Sequence, residues 1–175
     1  MQAAAYSAIE TLRDGRRVEI RALRPDDRDG LIAAVGRVTA QSLYRRFFSV
    51  KRHFTEQETS FFVNVDFTSH VALVAVISEG GRPVIVGGGR YIVVGEGRAE
   101  IAFAILDEYQ GQGIGAALLR HLVIIAREAH LRELVAEVLP ENVAMLSVFE
   151  KCGLPLRKKR EARVVQVVLE LNPAG

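Results

Sequence analysis

Three glycines at alternate positions open a predicted helix in the stretch YQGQGIGAALL, residues 109–119. Gly111, Gly113 and Gly115 each cost about 1 kcal/mol relative to alanine in a helix, so something there must require a bare backbone. They follow a buried strand pattern at 99–106 and lead into an apolar helix. Backbone N–H groups at a helix start, with the positive end of the helix dipole, bind anions. The spacing therefore predicts a phosphate-binding loop.

Two common phosphate-binding motifs do not fit this loop. A P-loop needs Gly-Lys-Ser/Thr, but Gly115 is followed by Ala116 and Ala117. A dinucleotide fingerprint needs a later third glycine and a parallel sheet, whereas the preceding strands have the pattern of an antiparallel meander. A glycine-rich turn that only allows close helix–strand packing stays open as an alternative.

Composition limits the class of protein. The chain has 175 residues, 49% hydrophobic and 25% charged, which fits a single domain at 16–171 behind an N-terminal arm at 1–15 that we expect to be flexible. A net charge of +2 with interspersed signs argues against a nucleic-acid partner. One cysteine and four scattered histidines predict no disulfide and no metal site. Without a leader pattern or an apolar run of membrane-spanning length, we expect no membrane association and a cytoplasmic location.

Glycine and proline divide the chain into short elements. The stretch RRVEIRAL alternates as a strand, and Pro25 opens a helix that we expect to reach about Val38. A second short helix is predicted in SLYRRFF, and Thr55 with Glu58 forms a capping box that starts a third. Three β-branched runs separated by EGGR and GEGR then predict an antiparallel meander.

The second half of the chain predicts a strand–helix–strand unit. The motif helix places Ile114, Leu118, Leu122, Ile125 and Ala126 on one face, and the strand ELVAEVL follows it. A further helix that stops at Gly153 and a closing strand, ARVVQVVLEL, complete the pattern. The predicted fold class is α/β (α+β): a mixed, mostly antiparallel sheet of about six or seven strands flanked by four or five helices.

The hexapeptide at 110–115, QGQGIG, resembles the Q/R-x-x-G-x-G/A signature of the GCN5-related N-acetyltransferase (GNAT) superfamily. In ENVAMLSVFEKCGL, Asn142, Glu150, Lys151 and Gly153 match residues common in that family, and the element order agrees over roughly 16–171. More narrowly, VEIRALRPDDRDGL, SLYRRFFS and AEIAFAILDEYQGQGIG resemble the catalytic domain of bacterial protein-lysine acetyltransferases.

The resemblance implies the GNAT fold and acetyl-CoA as acetyl donor, with no metal. It implies that the loop holds the pyrophosphate, that backbone N–H groups near Phe103 to Ile105 contact the thioester oxygen, and that Ile105 and Leu106 pair with the pantetheine arm. The implied cofactor-binding residues are Phe103, Ala104, Ile105, Leu106, Gln110, Gly111, Gln112, Gly113, Ile114, Gly115 and Asn142.

Glu100 is the candidate general base. An alkylammonium must lose its proton before it attacks a thioester, which costs about 4 to 5 kcal/mol at neutral pH without a base. Strand alternation places Glu100 on one face with the small Ala102 and Ala104, and the position matches that of the base in histone-type family members. Alternatively, Glu100 is a solvated hairpin residue paired with Arg98.

The general acid is less well defined, because Phe149 stands where many family members carry a tyrosine. A thiol with a pKa near 8.5 leaves as thiolate unaided, or Ser147, Tyr109 or a water substitutes for the missing hydroxyl. Cys152 lacks a paired base and is expected to be a small buried hydrophobe.

The acceptor is expected to be a primary amine, with protein lysine as the preferred hypothesis. The acceptor wall is expected between residues 26 and 66, with SLYRRFFSVKRHF contributing aromatics and cations. A small amine is the alternative acceptor, and an acyl-CoA-sensing module without catalysis is the alternative of a different class. A homodimer formed through an exposed edge of the meander or the last strand is a further expectation.

Overall fold

The protein is described here from a computed structural model that covers residues 1–37 and 55–172. Within these residues eight strands form one sheet and four α-helices pack on it. The strands are β1 (Ser7–Thr11), β2 (Arg17–Ala22), β3 (His70–Glu79), β4 (Arg82–Gly95), β5 (Arg98–Ile105), β6 (Glu133–Val138), β7 (Leu156–Glu161) and β8 (Val164–Glu170). The helices are α1 (Arg28–Arg37), α2 (Glu56–Val63), α3 (Ile114–Glu128) and α4 (Val143–Glu150).

The sheet order is β1-β2-β3-β4-β5-β6-β8-β7, and all neighbours are antiparallel except β5 and β6. The predicted meander is β3-β4-β5, and the predicted strand–helix–strand unit is β5-α3-β6. The mixed, mostly antiparallel sheet is therefore confirmed, with one strand more than the upper prediction. No helix in the described ranges is long and apolar enough to span a membrane.

The additional strand lies in the segment that was expected to be a flexible arm. Ser7–Thr11 pairs antiparallel with β2, and the tight turn that joins them has Gly15 at φ +88°. Leu12, 5% exposed, anchors the end of this hairpin in the core. This strand was not predicted because β1 is an edge strand whose one large apolar side chain, Ile9, is 60% exposed, so it lacks a buried pattern. The flexibility of the N-terminal arm stays a prediction.

The edges of the described sheet are β1 and β7. Each meander strand pairs on both sides, and the last strand, β8, lies between β6 and β7. The strands expected to form a dimer edge, those of the meander and β8, therefore lie inside the sheet. The edge positions are taken by β1 at one end and by β7 at the other. Dimerisation itself stays a prediction.

Helix α3 covers one face of the sheet. Its predicted apolar face is buried as expected: Ile114, Leu118, Leu122, Ile125 and Ala126 are at most 3% exposed. These side chains belong to a single core with residues of β2 to β6 and β8. This packing fixes the start of α3, and with it the glycine loop, against the end of β5.

Helices α1 and α2 lie on the face of the sheet opposite α3. Leu31 and Ala34 of α1 pack on a smaller apolar cluster that includes Val74 and Ile85. The predicted capping box of α2 is confirmed, since the Thr55 hydroxyl accepts a hydrogen bond from the Glu58 N–H at 3.1 Å. The predicted second helix in SLYRRFF, at 42–48, lies outside the described residues.

The helix after Pro25 begins with a 3-10 turn over Pro25–Asp27 before α1. Asp27 accepts a hydrogen bond from the Arg24 N–H at 2.7 Å and two from the Arg21 guanidinium, each 2.8 Å long. This nearly buried ion pair joins β2 to the start of α1.

Candidate active site

The sheet splits between its two parallel strands. β5 and β6 pair only at Arg98–Glu133, Ala99–Leu134 and Glu100–Val135, although β5 continues to Ile105. A gap therefore opens between the strands directly after Glu100. Unpaired strand edges of this kind present backbone donors and acceptors to a ligand.

The backbone of β5 directs specific N–H groups into this gap. The Leu106 N–H donates to the Val86 carbonyl of β4 at 2.8 Å. Successive residues of a strand point their N–H groups to opposite edges, so those of Ile105 and Phe103 point away from β4 and toward the gap. The Ile105 carbonyl on the same edge accepts a hydrogen bond from the Gln110 side chain at 3.2 Å.

The glycine loop lies at the end of the gap. Gly111 has φ +76° and Gly113, the N-cap of α3, has φ +97°, while no atom lies within 4 Å of where a Cβ would stand at either residue. Their backbone conformation, not crowding, therefore requires glycine. Gly115 has a different role, since its Cβ would lie 3.2 Å from Ile105 Cδ1.

The start of α3 leaves backbone donors without a helical acceptor. The Ala117 N–H donates to the Gly113 carbonyl at 3.0 Å, so the N–H groups of Ile114, Gly115 and Ala116 precede the first closed helical turn. Free N–H groups and the positive end of a fifteen-residue helix together form an anion site. The observed loop has the geometry that a phosphate requires.

A cleft of about 790 Å³ runs along the gap and the loop. All but one of the predicted cofactor-binding residues line it: Phe103, Ala104, Ile105, Leu106, Gln110, Gly111, Gly113, Ile114, Gly115 and Asn142. The exception is Gln112, which does not line the cleft and whose carbonyl accepts the Arg13 N–H at 3.4 Å.

Helix α4 forms the wall opposite β5. Asn142 is its N-cap, with the side-chain oxygen accepting from the Met145 N–H at 3.3 Å, so its position is fixed by capping. Met145, Ser147 and Val148 line the cleft along this helix. The side chain at 142 thus stands at the mouth of the gap where β6 ends.

Glu100 lies where the gap begins, at the last pair that joins β5 to β6. It is exposed and shares a strand face with Ala102 and Ala104, which line the cleft, while Ile101 and Phe103 are buried on the other face. The Glu100 side chain itself does not line the cleft. The alternative pairing with Arg98 is absent among the described contacts, since Arg98 donates to Glu133 at 2.7 Å.

The position at which many family members carry a tyrosine, the candidate general acid, is occupied by Phe149. Phe149 is 1% exposed, packs on Phe103 with ring centroids 6.0 Å apart, and does not line the cleft. Ser147 lines it and is half-buried. Cys152 also lines it and is half-buried, so its expected burial is wrong: it lies just past the end of α4, where the chain leaves the core.

Tyr109 lines the cleft with its hydroxyl engaged. That hydroxyl donates to the Glu79 carboxylate, and burial together with this carboxylate raises the pKa of Tyr109. Glu79 in turn pairs with Arg37 at 3.0 Å. The proton of the Tyr109 hydroxyl is therefore engaged by the Glu79 carboxylate.

Sequence reasoning missed Arg90 of β4, which lines the cleft together with Phe62 of α2, a helix within the predicted acceptor wall. The Arg90 guanidinium donates to the Phe62 carbonyl at 3.1 Å, lies over the Phe62 ring at 4.8 Å from its centroid, and contacts His70 Nε2 at 2.9 Å. Burial, and then the charge of Arg90, lower the pKa of His70 to about 4. A neutral His70 accepts this hydrogen bond.

Arg90 lies on the same face of the sheet as the candidate base, Glu100. Arg90 stands opposite Ala102 in the register of β4 with β5, and Gly88 stands opposite Ala104. The three glycines at 87–89 were the available signal, because glycine inside a strand marks a bulge or a close approach. Of the acceptor wall predicted between residues 26 and 66, the segment SLYRRFFSVKRHF, at 42–54, lies outside the described residues.

A sheet split beside a glycine-rich helix start, with a carboxylate at the split, is the architecture of an acyltransferase that takes its acyl group from coenzyme A. The chain belongs to the acetyltransferase (GNAT) family, whose sequence model matches residues 37–154. It is thus an acetyltransferase, and the predicted family and fold are confirmed.

Similar proteins agree with this assignment. Acetyltransferase PA5475 of Pseudomonas aeruginosa is 33% identical over 138 residues, covering 78% of this chain and 74% of the relative. Acetyltransferase Pat of Mycolicibacterium smegmatis is 31% identical over 144 residues, and the match spans only 42% of that relative. The crystal structure of the GNAT domain of S. lividans PAT superimposes with a TM-score of 0.85 at 32% identity, covering 94% of this chain and 96% of that one.

A more distant structure shares the fold alone. YncA from Salmonella typhimurium, solved with its cofactor acetyl-CoA, has a TM-score of 0.68 at 16% identity and covers 90% of this chain and 96% of that one.

Proposed function

We propose that this protein transfers an acetyl group from acetyl-CoA to a primary amine by direct attack in a ternary complex, with a protein lysine as acceptor. The observation that carries the proposal is the separation of β5 from β6 after Glu100, next to the glycine loop. One feature supplies an open strand edge for a linear ligand, and the other supplies an anion site at its end.

The residues of the cleft fit acetyl-CoA. Gly111 and Gly113 adopt left-handed backbone with open space beside them, and a side chain there would intrude on the approach to the N–H groups of α3. The gap-facing edge of Phe103 and Ile105 is suited to pair with the amide groups of pantetheine. Acetyl-CoA supplies the acyl group as a thioester when it is bound.

In this proposal the N–H groups of Phe103 and Ile105 donate hydrogen bonds to the carbonyl oxygen of the thioester. They are rigid donors in a strand that is anchored on β4, so they need no reorganisation as negative charge develops on the carbonyl oxygen. The side chain of Phe103 packs in the core against Phe149.

Glu100 is proposed to take the proton of the attacking amine. The carboxylate is exposed at the point where the strands part, so an ammonium arriving from solvent reaches it before it reaches the gap. General base catalysis of this kind contributes about 100- to 10,000-fold in rate.

The leaving thiolate is proposed to depart without a side-chain acid. Phe149 has no hydroxyl, and the Tyr109 hydroxyl donates to Glu79. A thiol with a pKa near 8.5 tolerates departure as thiolate near neutral pH. Ser147 or a water on the wall of α4 is the alternative proton donor.

A protein lysine as acceptor is supported by the resemblance to the catalytic domain of bacterial protein-lysine acetyltransferases. The similarity to the GNAT domain of S. lividans PAT points the same way. Glu100, at the exposed end of the gap, would be accessible to a lysine presented on a protein surface. A small amine remains the second candidate acceptor.

The test is acetyl transfer by wild type and Glu100→Gln, with a panel of lysine-bearing proteins and small amines as acceptors. We expect Glu100→Gln to lower kcat by about 100-fold or more while acetyl-CoA affinity changes little. Glu137→Gln, at the exposed position of β6, is the matched control and should behave as wild type.

Three outcomes would count against parts of the proposal. Turnover by Glu100→Gln equal to wild type across pH would remove Glu100 as the base. Turnover with small amines only would replace the protein acceptor. Acetyl-CoA binding with no turnover on any acceptor would favour a sensing module.

A further inference from the structure

The β1–β2 hairpin reaches the glycine loop. At its turn, the Arg13 N–H donates to the Gln112 carbonyl at 3.4 Å, and Arg13 Nη1 donates to the Gly111 carbonyl at 3.2 Å. Arg16, at the end of the same turn, lies over the Tyr109 ring at 5.1 Å from its centroid. The turn therefore contacts Tyr109, Gly111 and Gln112 in the segment that precedes α3.

Arg13 also forms part of the wall of the cleft. It lines the cleft together with Gly111 and Gly113, and it is exposed. A guanidinium has five N–H donors, and the contact with the Gly111 carbonyl uses only one nitrogen. The remaining donors stand beside the anion site.

Two other arginines near the loop are paired with carboxylates, whereas Arg13 is not. Arg16 pairs with Asp14 at 2.7 Å, and Arg120, which also lines the cleft, pairs with Glu10 at 3.0 Å. Within residues 1–37 and 55–172 no carboxylate forms an ion pair with Arg13. Its positive charge is therefore uncompensated at the end of the cleft where an anion would bind.

We propose that Arg13 binds a phosphate group of coenzyme A, which makes the β1–β2 hairpin a part of the cofactor site. This inference rests on the proposed function, since it presumes that coenzyme A occupies the loop. A planar guanidinium matches two phosphate oxygens at once, and such charge-assisted contacts are stronger than neutral ones. The same residue fixes the carbonyls of the loop and supplies the charge that the loop backbone lacks.

The experiment is isothermal titration with acetyl-CoA and with its 3′-dephospho form, at two salt concentrations. The proteins are wild type, Arg13→Gln, Arg13→Lys and the control Arg17→Gln. Gln retains a donor for the Gly111 carbonyl but no charge, and Arg17 is an exposed arginine of the same hairpin that does not line the cleft. Thermal unfolding checks that each variant is folded.

We expect Arg13→Gln to weaken acetyl-CoA binding about tenfold, with Lys in between and Arg17→Gln unchanged. The salt dependence of binding should also become shallower in Arg13→Gln. If the defect persists with 3′-dephospho-acetyl-CoA, the contact is to the pyrophosphate; if it disappears, the contact is to the 3′-phosphate.

Equal affinity of Arg13→Gln and Arg17→Gln, in a wild type that binds acetyl-CoA, would overturn this inference and leave the proposed function intact. Absence of acetyl-CoA binding by folded wild type would instead overturn the proposed function, and the inference with it.

Discussion

Glu100 pairs with Val135 in the last rung that joins the two parallel strands of the sheet. From that rung onward, β5 keeps its partner on β4 but has none on β6, so the carboxylate marks the point at which the gap begins. The candidate base and the edge proposed to bind the thioester therefore belong to one strand, and their separation is fixed by the backbone.

Ile105→Pro tests whether this strand edge binds the cofactor. The Ile105 N–H points toward the gap and takes no part in the pairing with β4, so proline removes a donor without removing a sheet hydrogen bond. We expect acetyl-CoA affinity to fall about tenfold or more, since a lost donor is worth about 1.4 kcal/mol or more at a desolvated site. Calorimetric titration measures the change.

Ile105→Val is the matched control, because it keeps the N–H and shortens a half-buried side chain. It should bind acetyl-CoA within about twofold of wild type. A stably folded proline variant with wild-type affinity would show that this edge does not contact the cofactor.

Gly89→Ala tests the close packing under the cleft. A Cβ at Gly89 would lie 2.6 Å from Phe103 Cδ1 and 2.8 Å from Cε1, so the ring must move. We expect a loss of about 1 to 3 kcal/mol in the free energy of unfolding, measured by urea denaturation. Gly95→Ala, at a position with open space, should change it by less than about 0.5 kcal/mol.

The double variant Gly89→Ala/Phe103→Leu identifies the cause. If the clash with the ring is responsible, the smaller leucine relieves it, and the double variant should be more stable than the sum of the single effects by about 1 kcal/mol. Strict additivity would place the cause elsewhere.

The pH dependence of stability tests the buried His70–Arg90 contact. Burial first, and then Arg90, lower the pKa of His70 to about 4 in the folded protein. As the pH falls, His70 is therefore protonated near pH 6.5 in the unfolded chain but only near pH 4 in the folded chain. Stability should therefore fall as the pH drops through this window, with this group contributing up to about 1.4 kcal/mol per pH unit.

His70→Asn should flatten the stability profile between about pH 6.5 and 4 relative to wild type, as measured by urea denaturation at each pH. His130→Asn is the control, because His130 is exposed and its φ of +59° suits asparagine. Parallel profiles for wild type and His70→Asn would show that His70 titrates normally in the folded protein.

Local pattern was sufficient to predict the elements that build the site. The cost of glycine in a helix indicated that positions 111 and 113 require a bare backbone. The structure shows why, since both residues have a left-handed backbone conformation. The alternation of Glu100, Ala102 and Ala104 predicted one strand face, because a strand repeats every two residues.

Contacts between distant segments were not predictable from those patterns. Arg90 meets His70 only because β3 and β4 pair, and no periodicity in either strand signals a contact twenty residues apart. The β1–β2 hairpin was missed although Asp14-Gly15 is a strong turn signal, because its outer strand lies at a sheet edge and buries little. Arg13 was missed with it, since its role depends on where that turn docks.

The central claim is that the glycine loop binds the pyrophosphate of acetyl-CoA. Its most direct test is calorimetric titration of the protein with acetyl-CoA, CoA, NAD and ATP, repeated on Gly113→Glu and on Gly113→Asn. At φ +97°, asparagine is the better tolerated side chain, while glutamate adds a negative charge where an anion should bind. We predict binding confined to the two CoA compounds, abolished by Gly113→Glu and weakened less by Gly113→Asn. Failure of the folded wild type to bind acetyl-CoA, or equal binding by Gly113→Glu, would contradict the account and leave Gly111 and Gly113 as residues that only shape the turn before α3.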